Sequence, residues 1–434
     1  MADAQGLVIA APRSGSGKTI VTLGLLAALR ARGVAVAPAK TGPDYIDRAI
    51  LARAAGIDAV NLDPWAMSSA RLRALASGHA ANADLLLVEG VMGLFDGAAD
   101  GKGSTGDLAA SLGLPVILVV DAERQSQSIA ALVSGFAHWR PGVEIAGIIV
   151  NRVATTRHET MLRRALAETE IPVLGVLPRR PELILPERHL GLVLPGEMDA
   201  FEATLSAAMD AVENYLDVDL LIALSERVSA PNIMEQSVHL SPLGQRIAVA
   251  RDNAFAFLYP HWVADWHAAG AEVSFFSPLA DESPKMDSDA VFLPGGYPEL
   301  HGAALAGAET FRSGLTALRD RGALIYGECG GYMVLGQSLT DASGATHRMA
   351  GLLPLETRID RPKRTLGYRR LHHASPLPWP AQLMGHEFHY STGKVATGTP
   401  LFAATDALGE PQPPMGLVEG RVMGSYAHVI DVAV

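Results

Sequence analysis

The chain is short of cysteine, charge and aromatic residues, and each shortage narrows what it can be. One cysteine, Cys329, stands among 434 residues, so no internal disulfide can form. That usage fits a reducing cytoplasm, the compartment the sequence predicts. Charged residues make up 19% against 49% hydrophobic, the balance of a soluble α/β protein with extensive buried surface. The formal charge is −11 and no basic face dominates, which argues against general nucleic-acid binding. An acidic ligand would have to be met by local positive charge. Apolar runs stop short of the roughly 18 to 20 residues that a membrane span needs. The first stretch, "MADAQGLVIAAPRSGSGKT", has no basic leader before its glycine loop and predicts no cleaved signal peptide.

At this length two domains are expected. In the first half, "GLVIAAP", "VAVAPAK", "DLLLVEG", "PVILVVD" and "IAGIIVNR" read as strands buried on both faces. Helical stretches such as "TIVTLGLLAALRARG" lie between them, with Gly33 after the end. That alternation predicts a doubly wound parallel sheet over residues 1–216. Residues 217–245 mix prolines and polar side chains and read as a linker. A second βα series, "RIAVARD", "EVSFFSP", "AVFLPGG" and "ALIYGECGG", opens another α/β domain over 246–434.

"RSGSGKT" follows a strand and opens a helix, the context in which a glycine loop cradles phosphate. Gly15, Ser16 and Gly17 supply backbone amides, Lys18 adds charge, and Thr19 offers a hydroxyl to Mg²⁺. ATP is the expected nucleotide. Pro12 replaces the first glycine of the full pattern and removes one donor. In "AKTGPDYID", Lys40 could contact phosphate, while Asp44 and Asp47 could bind Mg²⁺, orient a substrate, or simply belong to an acidic turn. Glu89 ends an apolar strand as a Walker-B-like acid does, and Asp96 follows in a glycine-rich loop. Asp121 and Asn151 also close strands; Asn151 either reads an adenine edge or caps a turn.

"ALIYGECGGY" reads as strand, sharp glycine turn, then helix, the shape of a nucleophile elbow presenting Cys329. The Gly330 amide could stabilise an oxyanion, with Gly295 and Gly296 of "FLPGGYPE" as further donors. The thiol needs a base, and His428 in "GSYAHVI" is the candidate. His386 and His389 of "GHEFHYS" have poor metal spacing and fit structural hydrogen bonding. Arg358, Arg361, Lys363, Arg364, Arg369 and Arg370 form a basic run, read as a solvated surface that could also steer a polycarboxylate or make an interdomain contact.

Taken in order, "APRSGSGKT", "GPDYID", "VEGVMGLFDG", "LPERHLGLV", "VARDNAFAF", "LPGGYPEL", "GECGGYM", "TLGYR" and "GHEFHYS" resemble the cobyrinic acid and hydrogenobyrinic acid a,c-diamide synthases of cobalamin biosynthesis. The resemblance implies a dethiobiotin-synthetase-like ATPase domain followed by a class I glutamine amidotransferase domain. It implies that Cys329, with His428, releases ammonia from glutamine, and that ATP activates the a and c acetate carboxylates as acyl phosphates. Thr19, Asp47 and Glu89 would hold Mg²⁺; Asp44, Tyr45 and Asp96 would lie around the tetrapyrrole carboxylates and the intermediate. The partners implied are ATP, glutamine and a tetrapyrrole polycarboxylate, and a homodimer is compatible with the sequence. Two neighbouring readings share the pattern: cobyric acid synthase and nickel-sirohydrochlorin a,c-diamide synthase. From a different class, a partitioning-type ATPase switch would explain the first half alone. One departure stands out. Triad amidotransferases carry Glu two residues after the histidine, where this chain has Ile430. A Cys-His pair without that acid is expected, with Asp431 a weak substitute.

Overall fold

The computed structural model describes residues 4–183, 187–188, 191–192, 201–230, 238–361, 363–395 and 398–433. Much of the "LPERHLGLV" stretch and of the middle of the expected linker lies outside them. The chain divides into two compact units, Met1–Ser237 and Val238–Val434.

In the first unit, strands and helices alternate: β1 (Gln5–Ala10), α1 (Lys18–Ala31), β2 (Val36–Thr41), α2 (Tyr45–Ala55), β3 (Val60–Leu62), α3 (Ser69–His79), β4 (Leu85–Glu89), α4 (Thr105–Leu112), β5 (Val116–Asp121), α5 (Ser128–Trp139), β6 (Ile145–Val153), α6 (Thr156–Leu166) and β7 (Val173–Pro178). The sheet order is β3-β2-β4-β1-β5-β6-β7, and every pair along it is parallel. Its central strands are apolar and fully buried because helices cover both faces. β1 lies between β4 and β5, where the chain reverses its direction of sheet building. In such sheets ligands usually bind at the carboxyl ends of the strands at this point.

The pair β8 (Glu187–Arg188) and β9 (Gly191–Leu192) precedes α7 (Phe201–Tyr215), which packs on α1. The next stretch differs from the expected linker. Asp217 caps α8 (Val218–Ala223) through its side chain, and β10 (Glu226–Arg227) pairs antiparallel with the start of β1. Local capping and a ladder with β1 tie these residues to the first unit despite their polar composition.

The second unit begins with β11 (Arg246–Ala250), α9 (Pro260–Ala268), β12 (Glu272–Phe276), β13 (Ala290–Leu293), α10 (Gly302–Gly307), α11 (Glu309–Asp320), β14 (Leu324–Glu328) and α12 (Gly330–Leu335). Its main sheet runs β12-β11-β13-β14-β24-β23, with β23 (Leu417–Glu419) antiparallel to β24 (Val422–Ser425). Two antiparallel-rich sheets follow. One holds β15 (Ser338–Thr340), β16 (Thr346–Arg348), β17 (Leu355–Arg358) and β20 (Thr392–Val395). The other holds β18 (Thr365–His372), β19 (Gln382–His389), β21 (Phe402–Thr405), β22 (Pro411–Met415) and β25 (Ala427–Val432). Phe255, Phe311, Leu293, Ile325, Leu335 and Leu355 lie in the core on which α11 and α12 pack. The thiol turn therefore sits on a rigid base.

Candidate active sites

The glycine loop joins β1 to α1 and is held from behind. Asn151 donates its amide to the Ser16 carbonyl at 2.9 Å, and Arg152 donates to the Gly15 carbonyl at 2.7 Å. Asp121 pairs with both Arg13 and Arg152 at 3.0 Å, cross-linking the loop to the ends of β5 and β6. Gly17 needs to be glycine twice over: its φ is +94°, and a Cβ there would fall 2.1 Å from Asn151 Nδ2. Asn151 also accepts from the Arg152 amide, so both ends of its side chain are engaged in supporting the loop.

Four side chains converge beside this loop. Thr19 donates to Glu89 Oε1 at 2.7 Å; the Lys40 ammonium meets the same oxygen at 3.0 Å and Asp47 Oδ2 at 2.5 Å. Burial pushes the Glu89 carboxyl up, against the pull of Lys40. Burial also opposes the Lys40 charge, but Asp47, Glu89 and Asp44 outweigh it and hold the ammonium well above its ordinary value. Lys18 donates to the Met92 carbonyl at 2.6 Å, and burial together with Lys40 lowers it to about 8. Among the described residues, no group of three or more His, Cys, Asp or Glu side chains is placed to hold a metal. That fits Mg²⁺, which takes one or two carboxylates and completes its shell with water and substrate phosphates. The Thr19 hydroxyl and the Asp47 and Glu89 carboxylates are hard oxygen donors of the right kind.

Asp44 caps α2, accepting from the Ile46 and Asp47 amides at 3.0 and 2.9 Å. Burial and the neighbouring Asp47 push its carboxyl up to about 7. Tyr45 is buried at the start of α2, and Asp96 folds its own loop by accepting from the Gly93 amide at 2.8 Å. Asp96 acts electrostatically on Lys18, and Asp44 on Lys40, so both acids border the phosphate side of the unit.

In the second unit, Cys329 follows β14 with φ +46° and ψ −107°, a strained turn for a residue with a side chain. Its amide donates to the Ser425 carbonyl at 2.8 Å, and its carbonyl accepts from the Met333 amide at 3.0 Å. Burial, then Glu299, push the thiol far above its ordinary range, against a hydrogen bond from the Gly330 amide. A thiol raised in this way would need a base to act as a nucleophile. A Cβ placed on Gly295 would lie 2.4 Å from His428 Cε1, 3.3 Å from its Nε2 and 3.2 Å from Cys329 Cβ. The thiol and the imidazole thus face one point, although β14 and β25 belong to different sheets. A Cβ on Gly330 would lie 3.0 Å from the Gly296 nitrogen, so the two glycine turns meet at the elbow. For Gly295→Ala we expect the added methyl to displace His428 and cut glutamine hydrolysis by about 10²-fold. Steady-state glutaminase assays check this, and an unimpaired variant would contradict the placement.

Two acids here were missed by sequence reasoning. Glu328, directly before Cys329, has Oε2 at 3.7 Å from His428 Nδ1. Its other oxygen accepts from the Val429 amide and the Tyr326 hydroxyl, each at 2.9 Å. A polar residue at the end of an apolar strand was the only signal for it. Glu299 lies in the glycine-pair loop, where burial raises its carboxyl to about 7. The folded protein therefore keeps a proton there that the unfolded chain loses nearer 4.5. Stability of the second unit should fall by at most about 3 kcal/mol as pH rises from 4.5 to 7, then level. Glu299→Gln should flatten that slope and be the more stable form at pH 8 in urea titrations; parallel slopes would contradict the account.

The histidines of "GHEFHYS" separate in role. His386 is the strand partner of His428, and burial, with His428 and Arg369, lowers it to about 3, leaving it neutral. His389 bonds Glu387 at 2.9 Å and stacks on Tyr426 with centroids 4.3 Å apart. The basic run is not uniformly solvated. Arg369 turns inward to pair with Glu387 at 2.9 Å, while Arg358, Arg361, Lys363, Arg364 and Arg370 stay exposed. The alternation of β18 sends adjacent Arg369 and Arg370 to opposite faces.

Known proteins resemble the chain along its whole length. Residues 7–193 match the CobQ/CobB/MinD/ParA nucleotide binding domain, and residues 246–432 match the CobB/CobQ-like glutamine amidotransferase domain. A hydrogenobyrinate a,c-diamide synthase of Brucella suis is 55% identical over 429 residues, 98% of each chain. Proteins of the same name from a Sinorhizobium species (53%, 99% of each chain) and Rhodobacter capsulatus (49%, 98% of each chain) are also similar. A phosphate-loop unit followed by an amidotransferase unit defines a glutamine-hydrolysing ligase. The chain belongs to the cobyrinic acid and hydrogenobyrinic acid a,c-diamide synthase family. A partitioning-type switch matches the first unit only and leaves the amidotransferase unit unexplained.

Proposed function

We propose that the protein amidates the a and c acetate carboxylates of hydrogenobyrinate in turn, using ATP and glutamine. The observation that carries this reading is the near full-length identity to proteins of that name, with the thiol turn and the phosphate loop both intact. Direct amidation is blocked because a carboxylate repels nucleophiles and its oxygen leaves poorly. Transfer of the γ-phosphoryl group from ATP to a carboxylate oxygen removes both obstacles, yielding ADP and an acyl phosphate. Ammonia then displaces phosphate and forms the amide.

In this reading Gly15, Ser16 and Gly17 surround the nucleotide phosphates with amides, and Asn151 maintains the loop that does so. Lys18 exchanges the Met92 carbonyl for a phosphate oxygen, and Lys40 shields the transferring group from Asp47 and Glu89. Mg²⁺, held by Thr19, Asp47 and Glu89 beside the phosphates, would neutralise charge during transfer. Asp44, Tyr45 and Asp96 border the macrocycle's carboxylates. Cys329 Sγ attacks the glutamine side-chain amide carbon while His428 Nε2 takes the thiol proton. Gly296 and Gly330, with Gly295 beside them, direct amides at the oxyanion. The proton passes to the departing ammonia, and water then releases glutamate from the thioester.

The partners in this reading are small molecules, namely ATP, glutamine and the macrocycle; among the described residues no helix is long and apolar enough to cross a membrane. The substrate is tested by offering hydrogenobyrinate, cobyrinate and nickel-sirohydrochlorin separately and resolving products by mass spectrometry. We expect the diamide of hydrogenobyrinate at the highest kcat/KM. Preference for the nickel macrocycle, or amidation at other side chains, would replace this reading with one of its relatives.

A further inference from the structure

Glu328 supplies the carboxylate that the sequence lacks beyond its histidine. The residue two positions past His428 is Ile430. Its neighbour Asp431 follows a bulge in the β19–β25 pairing and turns Oδ1 onto the Val432 amide at 2.8 Å. Glu328 instead reaches His428 from the end of β14, with Oε2 at 3.7 Å from Nδ1. The Cε1–Nε2 edge of the ring lies toward Gly295, where a Cβ would also approach Cys329 Cβ. We propose that Glu328 is the positioning residue for His428, taking the place of the acid that triad amidotransferases carry after the histidine. This proposal rests on the amidotransferase reading above.

The carboxylate is itself held. Tyr326 and the Val429 amide both donate to Oε1 at 2.9 Å, which leaves Oε2 turned toward the ring. Val429 follows His428 directly, so the same carboxylate fixes the backbone that carries the imidazole. Both groups are buried, Glu328 at 1% exposure and His428 at 2%, so water screens the interaction little. A neutral imidazole carries one proton. A carboxylate beside Nδ1 keeps it there and leaves the Nε2 lone pair directed at the thiol. When Nε2 accepts the Cys329 proton, the new imidazolium has a negative charge next to it. At 3.7 Å the contact is longer than a hydrogen bond, as such contacts commonly are before substrate tightens them. Cys329 and, on β19, His386 with Arg369 behind it also face this histidine, and Glu299 and Glu387 act on the neighbouring thiol. Glu328 is the acid placed beside Nδ1, where it can hold a proton on that nitrogen.

The test is glutamine hydrolysis by the full-length protein, with ammonia-dependent amidation as the control. In Glu328→Gln the amide oxygen can still accept from Val429, but its N–H₂ faces Nδ1 and favours the tautomer with the proton on Nε2. We expect kcat to fall roughly 10²- to 10³-fold, with KM for glutamine within about twofold. The acidic limb of the pH profile should move to lower pH, because the imidazolium loses its nearby negative charge. Ammonia-dependent amidation should match the parent, and Glu328→Asp should recover part of kcat. A purely structural role would alter KM or melting temperature without moving that limb. If Glu328→Gln does not fold, Tyr326→Phe keeps the carboxylate and removes one anchor; kcat should then fall several-fold at unchanged KM. A folded Glu328→Gln variant with parental kcat and an unmoved limb, or an unaffected Tyr326→Phe, overturns the proposal while leaving the amidotransferase reading intact. An unsubstituted protein that does not hydrolyse glutamine overturns both.

Discussion

Replacing Cys329 with alanine should abolish glutamine-dependent amidation, by 10³-fold or more on the order-of-magnitude scale of nucleophile removal. The same variant should form the amide at the parental rate when ammonia replaces glutamine. The physical reason is the division of the chain into two compact units, with the phosphate loop in the first and Cys329 in the second. Cys329 belongs to the core of the second unit, packed with Tyr332, Leu293 and Leu355, and trimming one sulfur there leaves the first unit untouched. Alanine keeps the Cβ on which the strain of φ +46° depends, so the turn is no more strained than in the parent and the fold should survive. Measured product with each nitrogen source decides the matter. Loss of both activities would mean that the thiol serves the amide-forming step as well, contrary to the assignment.

Lys18→Ala should give the mirror image, with amide formation reduced about 10³-fold from either nitrogen source and glutamine hydrolysis retained in part. Lys18 is buried among Lys40, Glu89, Asp47 and Asp96, and its amine is already lowered to about 8. Near neutral pH it is thus mainly protonated, and a phosphate group would strengthen that charge. Below about 8 the charged form prevails, so ATP-dependent amidation should weaken as pH rises past that value unless bound nucleotide raises it. Removing the ammonium leaves Lys40 as the cation of the cluster, and Asp47 and Glu89 already engage it. Full amidation by this variant would remove Lys18 from the phosphate-handling machinery.

The first unit was largely legible because parallel strands covered on both faces read as plain apolar runs. β1, β2, β4, β5 and β6 fall where such runs stand, and β2, β4 and β5 close on Thr41, Glu89 and Asp121 at the ligand end. β3 at the sheet edge is too short to register, and Asp217 begins a capped helix inside a stretch whose composition suggests a linker. The second unit was half legible. Its βα series announces β11 to β14, but the antiparallel sheets after α12 do not show. Buried and exposed side chains alternate over the last four residues of β18, and Arg369 was grouped with its solvated neighbours although Glu387 holds it inside. β22 contains three prolines in "PQPPM" and survives as a strand because it lies at the edge of its sheet. At the sites, Cys329 and His428 each carried a local signal. Glu328 carried only its place at the end of an apolar strand, because its partnership with His428 depends on two sheets meeting.

The central claim is that nitrogen freed at Cys329 ends in an amide on an ATP-activated macrocycle. The direct measurement supplies glutamine labelled with ¹⁵N in its side-chain amide, together with hydrogenobyrinate, ATP and Mg²⁺, and follows label by mass spectrometry. The account predicts two successive labelled amides, at the a and c acetates, with glutamate and ADP formed in step. Glutamine and ATP consumed without label in the macrocycle, or unlabelled product alone, would contradict it.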